Sequence, residues 1–256
     1  MVHILITNDD GVTAPGLLAL AKELEVLGKV SILAPDRNWS ASGHVKTMHR
    51  PLRVKEIQLS DGMPVLATDG APSDCVALAM LGIIPEKIDL VFSGINPNAN
   101  LGYDVTYSGT VTAAMEATIW GLPGVAVSLD SPNNQPGDLD YSTAAVAARK
   151  VADHVVHCGL PAGTLLNVNV PYLPPSEIAG FKITRQGLRV YRHELDRRLD
   201  PRNHPYYWIG GQSPTGVPED GTDFGALKQG FVSITPLHLD MTAIDRMDSL
   251  KTWEWE

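Results

Sequence analysis

Cysteine is scarce in this chain: Cys75 and Cys158 are the only two among 256 residues. Two thiols so far apart make no disulfide framework and match no metal-binding spacing, so both are expected to be reduced and buried. Long apolar runs are missing too. The longest, VALAMLGII (76–84), is too short to cross a bilayer. No basic stretch precedes the first apolar run, as a secretory signal would require. The expected compartment is therefore the cytoplasm, with no membrane partner. Positive charge is in deficit: 20 Lys and Arg against 29 Asp and Glu leave a formal charge of −9. That disfavours a nucleic-acid polymer as partner, although a bound cation can invert the local sign and admit a small anion. Two nucleotide-binding signatures are absent as well. NDDGVTAPG (8–16) supplies no Gly-x-Gly-x-x-Gly after the first apolar run, and no Gly-x-x-x-x-Gly-Lys-Ser/Thr loop occurs. Nothing repeats at a fixed period, which excludes a solenoid.

What is present is an alternation of strand and helix patterns. The chain is 44% hydrophobic, enough for a sizeable core. HILIT (3–7) reads as a buried strand, APGLLALAKELEVLG (14–28) as a helix stopped by Gly28, and KVSILAPD (29–36) as a second strand. Strand, helix, strand in so short a span is a βαβ unit, which predicts a parallel sheet with helices on its faces. LRVKEIQL (52–59) and PVLAT (64–68) read as a strand pair around SDGM. SDCVALAMLGI (73–83), GTVTAAMEATIWG (109–121) and TAAVAARKVADHVVHCG (143–159) read as helices, and IDLVFSGI (88–95), GVAVSLD (124–130) and LLNVNVP (165–171) as strands. His154 and His157 share a face of the last helix, expected to be solvated rather than metal-binding.

Composition shifts after about residue 172 toward Pro, Gly and Arg. The division expected is a core over 1–172 and a C-terminal region over 173–256. Short strand candidates, FKITRQG (181–187), RVYRHEL (189–195) and YYWIGG (206–211), suggest an extended hairpin arm used in subunit contact. FVSITPL (231–237) then returns as a strand, followed by an amphipathic tail.

Ligands of open parallel sheets sit beyond the carboxyl ends of the strands. Asn8-Asp9-Asp10-Gly11 follows the first strand, and Ser40, Ser42, Gly43 and His44 lie past the second. Asn96 follows FSGI. Hard divalent cations take oxygen ligands, so Asp9 and Asp10 are candidate carboxylate ligands, with Ser40 and Asn96 as neutral oxygens. An Asp-Asp-Gly at a strand end is equally at home in a plain turn. Ser108, Gly109 and Thr110 precede a small-residue helix whose N-terminus can bind phosphate, or be simply N-capped. His44 is a candidate proton donor or phosphate ligand. A response-regulator receiver also opens with an acidic pair, but it is much shorter, and no phospho-acceptor Asp or partner Lys stands at the later strand ends.

ITNDDG, APDRNWSASGH, SGINPNANLG, YSGTV with AAMEA, and GFVSITPL resemble, in order, the signature blocks of the SurE family of survival-protein nucleotidases. The resemblance runs from residue 4 to residue 237. It implies a three-layer α/β/α Rossmann-like fold with a mostly parallel sheet and a C-terminal arm used in oligomerisation, giving homodimers or homotetramers. It also implies hydrolysis of nucleoside 5′- and 3′-monophosphates, and of short polyphosphate, by metal-activated water. One Mg²⁺ or Mn²⁺ per subunit would be held by Asp9, Asp10, Ser40 and Asn96. Asp9 and Asp10 would be catalytic, and Asn96, Ser108, Gly109 and Thr110 would contact phosphate. Asn8, Ser42, Gly43 and His44 are further candidates in the same blocks. Pro97 and Thr112 stand where the family pattern calls for glycine, which puts substrate preference in question. The alternatives are a nucleotide- or phosphate-sensing protein without turnover, and a general phosphatase without nucleoside preference.

Overall fold

The unbroken apolar run of HILIT is buried on both faces of its strand. Ile4 and Ile6 enter one buried cluster and Leu5 another on the opposite side of the sheet, all with no exposed surface. The structure, a computed structural model, describes residues 1–59, 62–132 and 137–255; part of the turn expected over SDGM lies outside them. In chain order the elements are β1 (Val2–Thr7), α1 (Pro15–Leu24), β2 (Gly28–Pro35), β3 (Val54–Gln58), β4 (Pro64–Thr68) and α2 (Pro72–Leu78). Next come β5 (Leu90–Asn96), α3 (Gly109–Ile119), β6 (Gly124–Asp130), α4 (Ser142–Cys158), β7 (Thr164–Pro171) and β8 (Gly180–Ile183). The chain closes with β9 (Arg189–Leu199), β10 (Pro205–Gly216), α5 (Asp223–Lys228), β11 (Phe231–His238) and α6 (Ile244–Lys251).

Nine strands form one sheet in the order β3-β4-β2-β1-β5-β6-β7-β11-β8. The run from β4 through β2, β1, β5 and β6 to β7 is parallel; β3 pairs antiparallel with β4, and β11 with β7. Helices cover both faces. Leu17, Leu20, Ala21 and Leu24 of α1 join Ala144, Ala148, Val151 and Val155 of α4 in one cluster. Cys75 and Val76 of α2 join Ala113 and Ala117 of α3 in the other. The result is the three-layer α/β/α arrangement expected from the βαβ pattern. The order reverses at β1: the chain first builds β2, β4 and β3 on one side, then β5, β6 and β7 on the other. A crevice therefore opens beyond the carboxyl ends of β1 and β5, where Asp9, Asp10 and Asn96 lie.

Several expectations need correction. The helix predicted over 73–83 is α-helical only to Leu78 and continues as a π-helical turn over Ala79–Ile83, broken by Gly82 at φ 109°. FKITRQG does not belong to the arm: Gly180–Ile183 hydrogen-bonds beside β11 as the sheet edge. Its side chains alternate between half-buried and exposed, which weakened the sequence signal. The arm itself is longer than predicted, with β9 and β10 paired antiparallel from Leu199–Pro205 back to Arg189–Gly216. Of the two cysteines, Cys75 is buried in the α2–sheet cluster, and burial pushes its thiol upward. Cys158 is exposed, because the last turn of α4 runs past the end of the apolar stripe. His154 and His157 lie on the solvent side of α4, as predicted.

Helix α1 crosses β5 at a glycine. A β-carbon on Gly16 would sit 2.2 Å from the Ile95 carbonyl oxygen, one residue before Asn96. Gly16→Ala should therefore push α1 off the end of β5, costing about 1–3 kcal/mol as overpacked cores do. Urea denaturation checks this, and a wild-type midpoint would show that the approach is looser than described.

Candidate active site

Asp9 and Asp10 come from the turn after β1, and that turn is closed by Asn8. The Asn8 side chain donates to the Gly11 carbonyl (2.9 Å) and accepts from the Gly11 N–H (3.2 Å), while Gly11 takes φ 106°. Asn8 is fully buried and spent on this turn, so its contribution is to aim its neighbours. Asp9 is 4% exposed. Its Oδ1 accepts from the Thr110 hydroxyl at 2.5 Å, across from the first turn of α3. Burial pushes the Asp9 carboxyl up, against hydrogen bonds from the Thr110 hydroxyl and from the backbone of Asp9 and Thr110. Asp10 is half-buried, and its Oδ2 is enclosed without a hydrogen-bond partner among the described residues. Burial first, and the charge of Asp9 second, raise its carboxyl to about 7. Burial, and then the charge of Asp10, push Tyr141 up to about 12, so it stays protonated near the pair.

A cavity of about 270 Å³ opens over these groups. Asp9, Asp10, Ser40, Asn96 and Ser108 line it, so the candidate ligands from three strand ends and the start of α3 converge. Asn96 donates its amide N–H to the Asn98 carbonyl at 2.5 Å, which leaves Oδ1 as the oxygen for a cation. Ser40 is exposed, but its loop is tied to the pair because the Trp39 N–H donates to the Asp9 carbonyl at 2.7 Å. Ser108 caps α3 by accepting from the Val111 N–H at 3.1 Å, which leaves its own proton to donate. Gly109 is required by proximity: a β-carbon there would lie 2.7 Å from the Asp9 β-carbon. Gly109 and Thr110 thus pack behind Asp9 rather than lining the cavity. A larger apolar groove of about 460 Å³ lies by the C-terminal end of α4, among Val155, Leu166, Phe181 and Ile234, and holds none of these groups.

Ser42, Gly43 and His44 are brought close to α3 but not into the cavity. Gly43 donates its N–H to the Tyr107 carbonyl (2.9 Å), and its own carbonyl accepts from the Thr112 hydroxyl (3.1 Å). The Ser42 hydroxyl donates to the Gly43 carbonyl, at 3.5 Å. His44 Nε2 lies 3.0 Å from Glu116, a carboxylate on α3 that is 2% exposed. Burial would raise Glu116, but hydrogen bonds from His44, Lys46 and Trp120 overrule it and hold the carboxyl at about 2. These contacts fasten the far end of the Ser40 loop.

The sequence reading missed the other wall of the cavity: Asn100, Asp104, Tyr107 and Arg189. Asn100 is locked by a buried amide network. Its N–H donates to Asn169 Oδ1 (2.8 Å), its side chain to Ser128 (2.8 Å), and its carbonyl accepts from Asn167 (2.8 Å). Asparagines alternating at 167 and 169 in a strand of apolar residues were the available signal.

Comparison with known proteins gives the family. The profile of the family described as survival protein SurE matches residues 4–193. The chain belongs to the SurE family. It is 54% identical over 254 residues to a protein named 5′-nucleotidase SurE from Herpetosiphon aurantiacus, covering 99% of each chain. It is 50% identical over 255 residues to the protein of that name from Chloroflexus aggregans, covering 100% of each. The crystal structure of the SurE protein from Aquifex aeolicus superposes with a TM-score of 0.81 at 41% identity, covering 97% of this chain and 98% of that one. Of the two positions where the resemblance led to glycine being expected, Thr112 uses its hydroxyl to strap Gly43 to α3. Pro97 contributes to the cavity rim a backbone carbonyl, which accepts from Ser131 at 2.6 Å and explains nothing particular to proline.

Among the described residues no three His, Cys, Asp or Glu side chains converge on one point. Two carboxylates with hydroxyl and amide oxygens suit a hard cation such as Mg²⁺ or Mn²⁺ better than Zn²⁺. The unpartnered Asp10 Oδ2 is the atom such a cation would satisfy. The raised pKa of Asp10 gives a test with a definite sign. Its carboxyl holds a proton more tightly folded (about 7) than unfolded (3.8), so metal-free stability should fall as pH rises through that window. D10N should show a smaller fall, the part due to Asp9 remaining, and melt higher than wild type at pH 8 without metal, and Mn²⁺ should raise the wild-type melting temperature most at high pH. A thermal melt series with chelator or Mn²⁺ checks this; identical pH profiles for the two proteins would contradict it.

Proposed function

We propose that this chain is a divalent-metal-dependent phosphomonoesterase. It hydrolyses nucleoside 5′- and 3′-monophosphates to nucleoside and phosphate, and cleaves short polyphosphate. The observation that carries the reading is the enclosed Asp9–Asp10 pair with its unpartnered Oδ2, facing Ser40, Asn96 and Ser108 across one cavity. The 5′-nucleotidase names of its full-length relatives support the substrate class. Asp9, Asp10, Ser40 and Asn96 would hold one Mg²⁺ or Mn²⁺ per subunit, and that ion would supply Lewis-acid polarisation of a phosphate oxygen and acidification of a water.

The protein groups have separable tasks. Thr110 fixes the Asp9 carboxylate, so Asp9 is oriented before substrate arrives. Asp10 presents the free oxygen. Ser108, already capping α3, donates its hydroxyl proton to a phosphate oxygen, and the helix N-terminus behind it adds favourable dipole. With Asp9 committed to Thr110, direct attack of water is favoured over a phospho-aspartate. The hairpin exposes Leu195, Leu199, Trp208 and Ile209, and α6 buries no residue at all. Those faces support a homodimer or homotetramer built through the C-terminal region, and the net charge of −9 weighs against a nucleic-acid polymer or an anionic membrane as partner; a cytoplasmic location belongs to the same proposal. No helix of the described residues is long and apolar enough to cross a membrane.

Phosphate release from a panel of 5′- and 3′-mononucleotides, with p-nitrophenyl phosphate as control, tests the activity. Mg²⁺ or Mn²⁺ should be required, chelator should abolish turnover, and D10N should lose about 100-fold or more, since Lewis-acid stabilisation is worth several kcal/mol. Turnover unaffected by D10N would sink the assignment, and equal rates on p-nitrophenyl phosphate would remove the nucleoside preference. For the assembly, sedimentation of wild type should give a dimer or larger species. I209K should give a smaller one; two monomers would end the arm's proposed role.

A further inference from the structure

The cavity carries an imbalance that the metal-site residues leave untouched. Three carboxylates line it, those of Asp9, Asp10 and Asp104, and among the described residues a single cation, Arg189. One divalent ion would offset the first two charges, and Arg189 faces the third, Asp104. A phosphate monoester brings close to two more negative charges at neutral pH, and Arg189 is the lining cation whose remaining guanidinium donors can be shared with it.

Arg189 is the first residue of β9, at the root of the arm, and its placement is built in detail. The buried Asp223 carboxylate accepts from the Gly102 N–H and from the Gly187 N–H, both at 2.8 Å. Gln186 donates to the Gly102 carbonyl at 2.8 Å. Gly102, at φ 53°, lets the two backbones meet, since a β-carbon there would lie 2.5 Å from the Gly187 carbonyl oxygen. The arm root is thereby fixed against the 3₁₀ turn Gly102–Thr106 that borders the cavity.

The guanidinium is held as firmly. Its side chain is 17% exposed, with Nε 2.7 Å from Asp104 Oδ2. That N–H is enclosed yet not aimed well enough at the oxygen to count as a hydrogen bond. The Tyr191 hydroxyl donates to the other Asp104 oxygen at 2.6 Å, and the guanidinium carbon lies 5.6 Å from the centre of the Phe224 ring. A planar fork with five donors, held on one side by an ion pair and an aromatic face, is preorganised to receive an oxyanion.

We propose that Arg189 binds the phosphate group of the substrate, so that the arm root supplies the cationic wall of the active-site cavity. This rests on the phosphomonoesterase reading for its substrate, but phosphate binding can be measured without turnover. Asp104 and Tyr191 are positioning residues that hold the guanidinium plane.

The test is titration calorimetry of inorganic phosphate into the full chain saturated with Mn²⁺, paired with steady-state kinetics on AMP and inhibition by adenosine. R189Q should bind phosphate at least about tenfold more weakly, as loss of a charge-assisted hydrogen bond predicts. KM for AMP should rise, while adenosine inhibition and Mn²⁺ affinity without phosphate stay at wild-type values. R189K, which keeps charge but loses the fork, should fall between, and it serves as the reading variant if R189Q does not fold. Phosphate affinity equal to wild type in the variant read overturns the proposal even if the enzyme is an active nucleotidase. So does a wild type that binds no phosphate. Weaker phosphate binding by the variant, alongside a wild type that hydrolyses no phosphomonoester, upholds the Arg189 site and rejects the hydrolase reading instead.

Discussion

Two carboxylates on consecutive residues at the end of a buried strand repel each other, and little in the surrounding protein relieves that repulsion. Thr110 satisfies one oxygen of Asp9, while Asp10 Oδ2 has no partner and its carboxyl is raised to about 7. An ordinary turn would place such a pair in water, where screening makes it harmless. Here the crossing of α1 at Gly16 and the approach of α3 at Gly109 press helices around it. The protein retains an electrostatic cost that the proposed cation would remove, which is the signature of a site tuned for function rather than for stability.

The sheet order explains why the pair lies where it does. β1 is the switch point between the two halves of the parallel sheet, so turns after β1, β2 and β5 meet in one crevice. The start of α3 closes that crevice from behind. The loop after β2 is fastened at both ends: the Trp39 N–H holds the Asp9 carbonyl, and Gly43 and His44 hold Thr112 and Glu116. Residues that looked like ligands in the sequence, among them Asn8, Gly43 and His44, serve instead as fixings for those that line the cavity.

Much of this was legible in the sequence because it rests on local pattern. The apolar run of HILIT, the helical pattern of α4 and the strand-end position of Asp9 and Asp10 each follow from the physics of one segment. What stayed hidden depends on long-range approach. Arg189 lies far along the chain in a stretch whose charge pattern marks only an exposed arm, and nothing near it announces Asp104 or Asp223. The buried Asn100–Asn167–Asn169 network likewise exists only once β6 and β7 stand beside the loop after β5. FKITRQG reads as arm because a half-exposed edge strand lacks a clear alternation. Cys158 is exposed because it sits at the helix end, beyond the stripe that decides burial, and its residue type alone does not show that.

The cavity lining spans residues 9 to 189, so its two walls arrive at different times during synthesis. The Asp9 wall is exposed to the cell long before Arg189 leaves the ribosome, and β1 gains its β5 neighbour only after some ninety residues have been made. Folding governed by such distant pairings is slow compared with helix formation. A chain that stops just before Arg189 would therefore carry the acidic residues of the cavity without the one lysine or arginine that the described lining includes, and the proposed phosphate site would be complete only once the arm root is made.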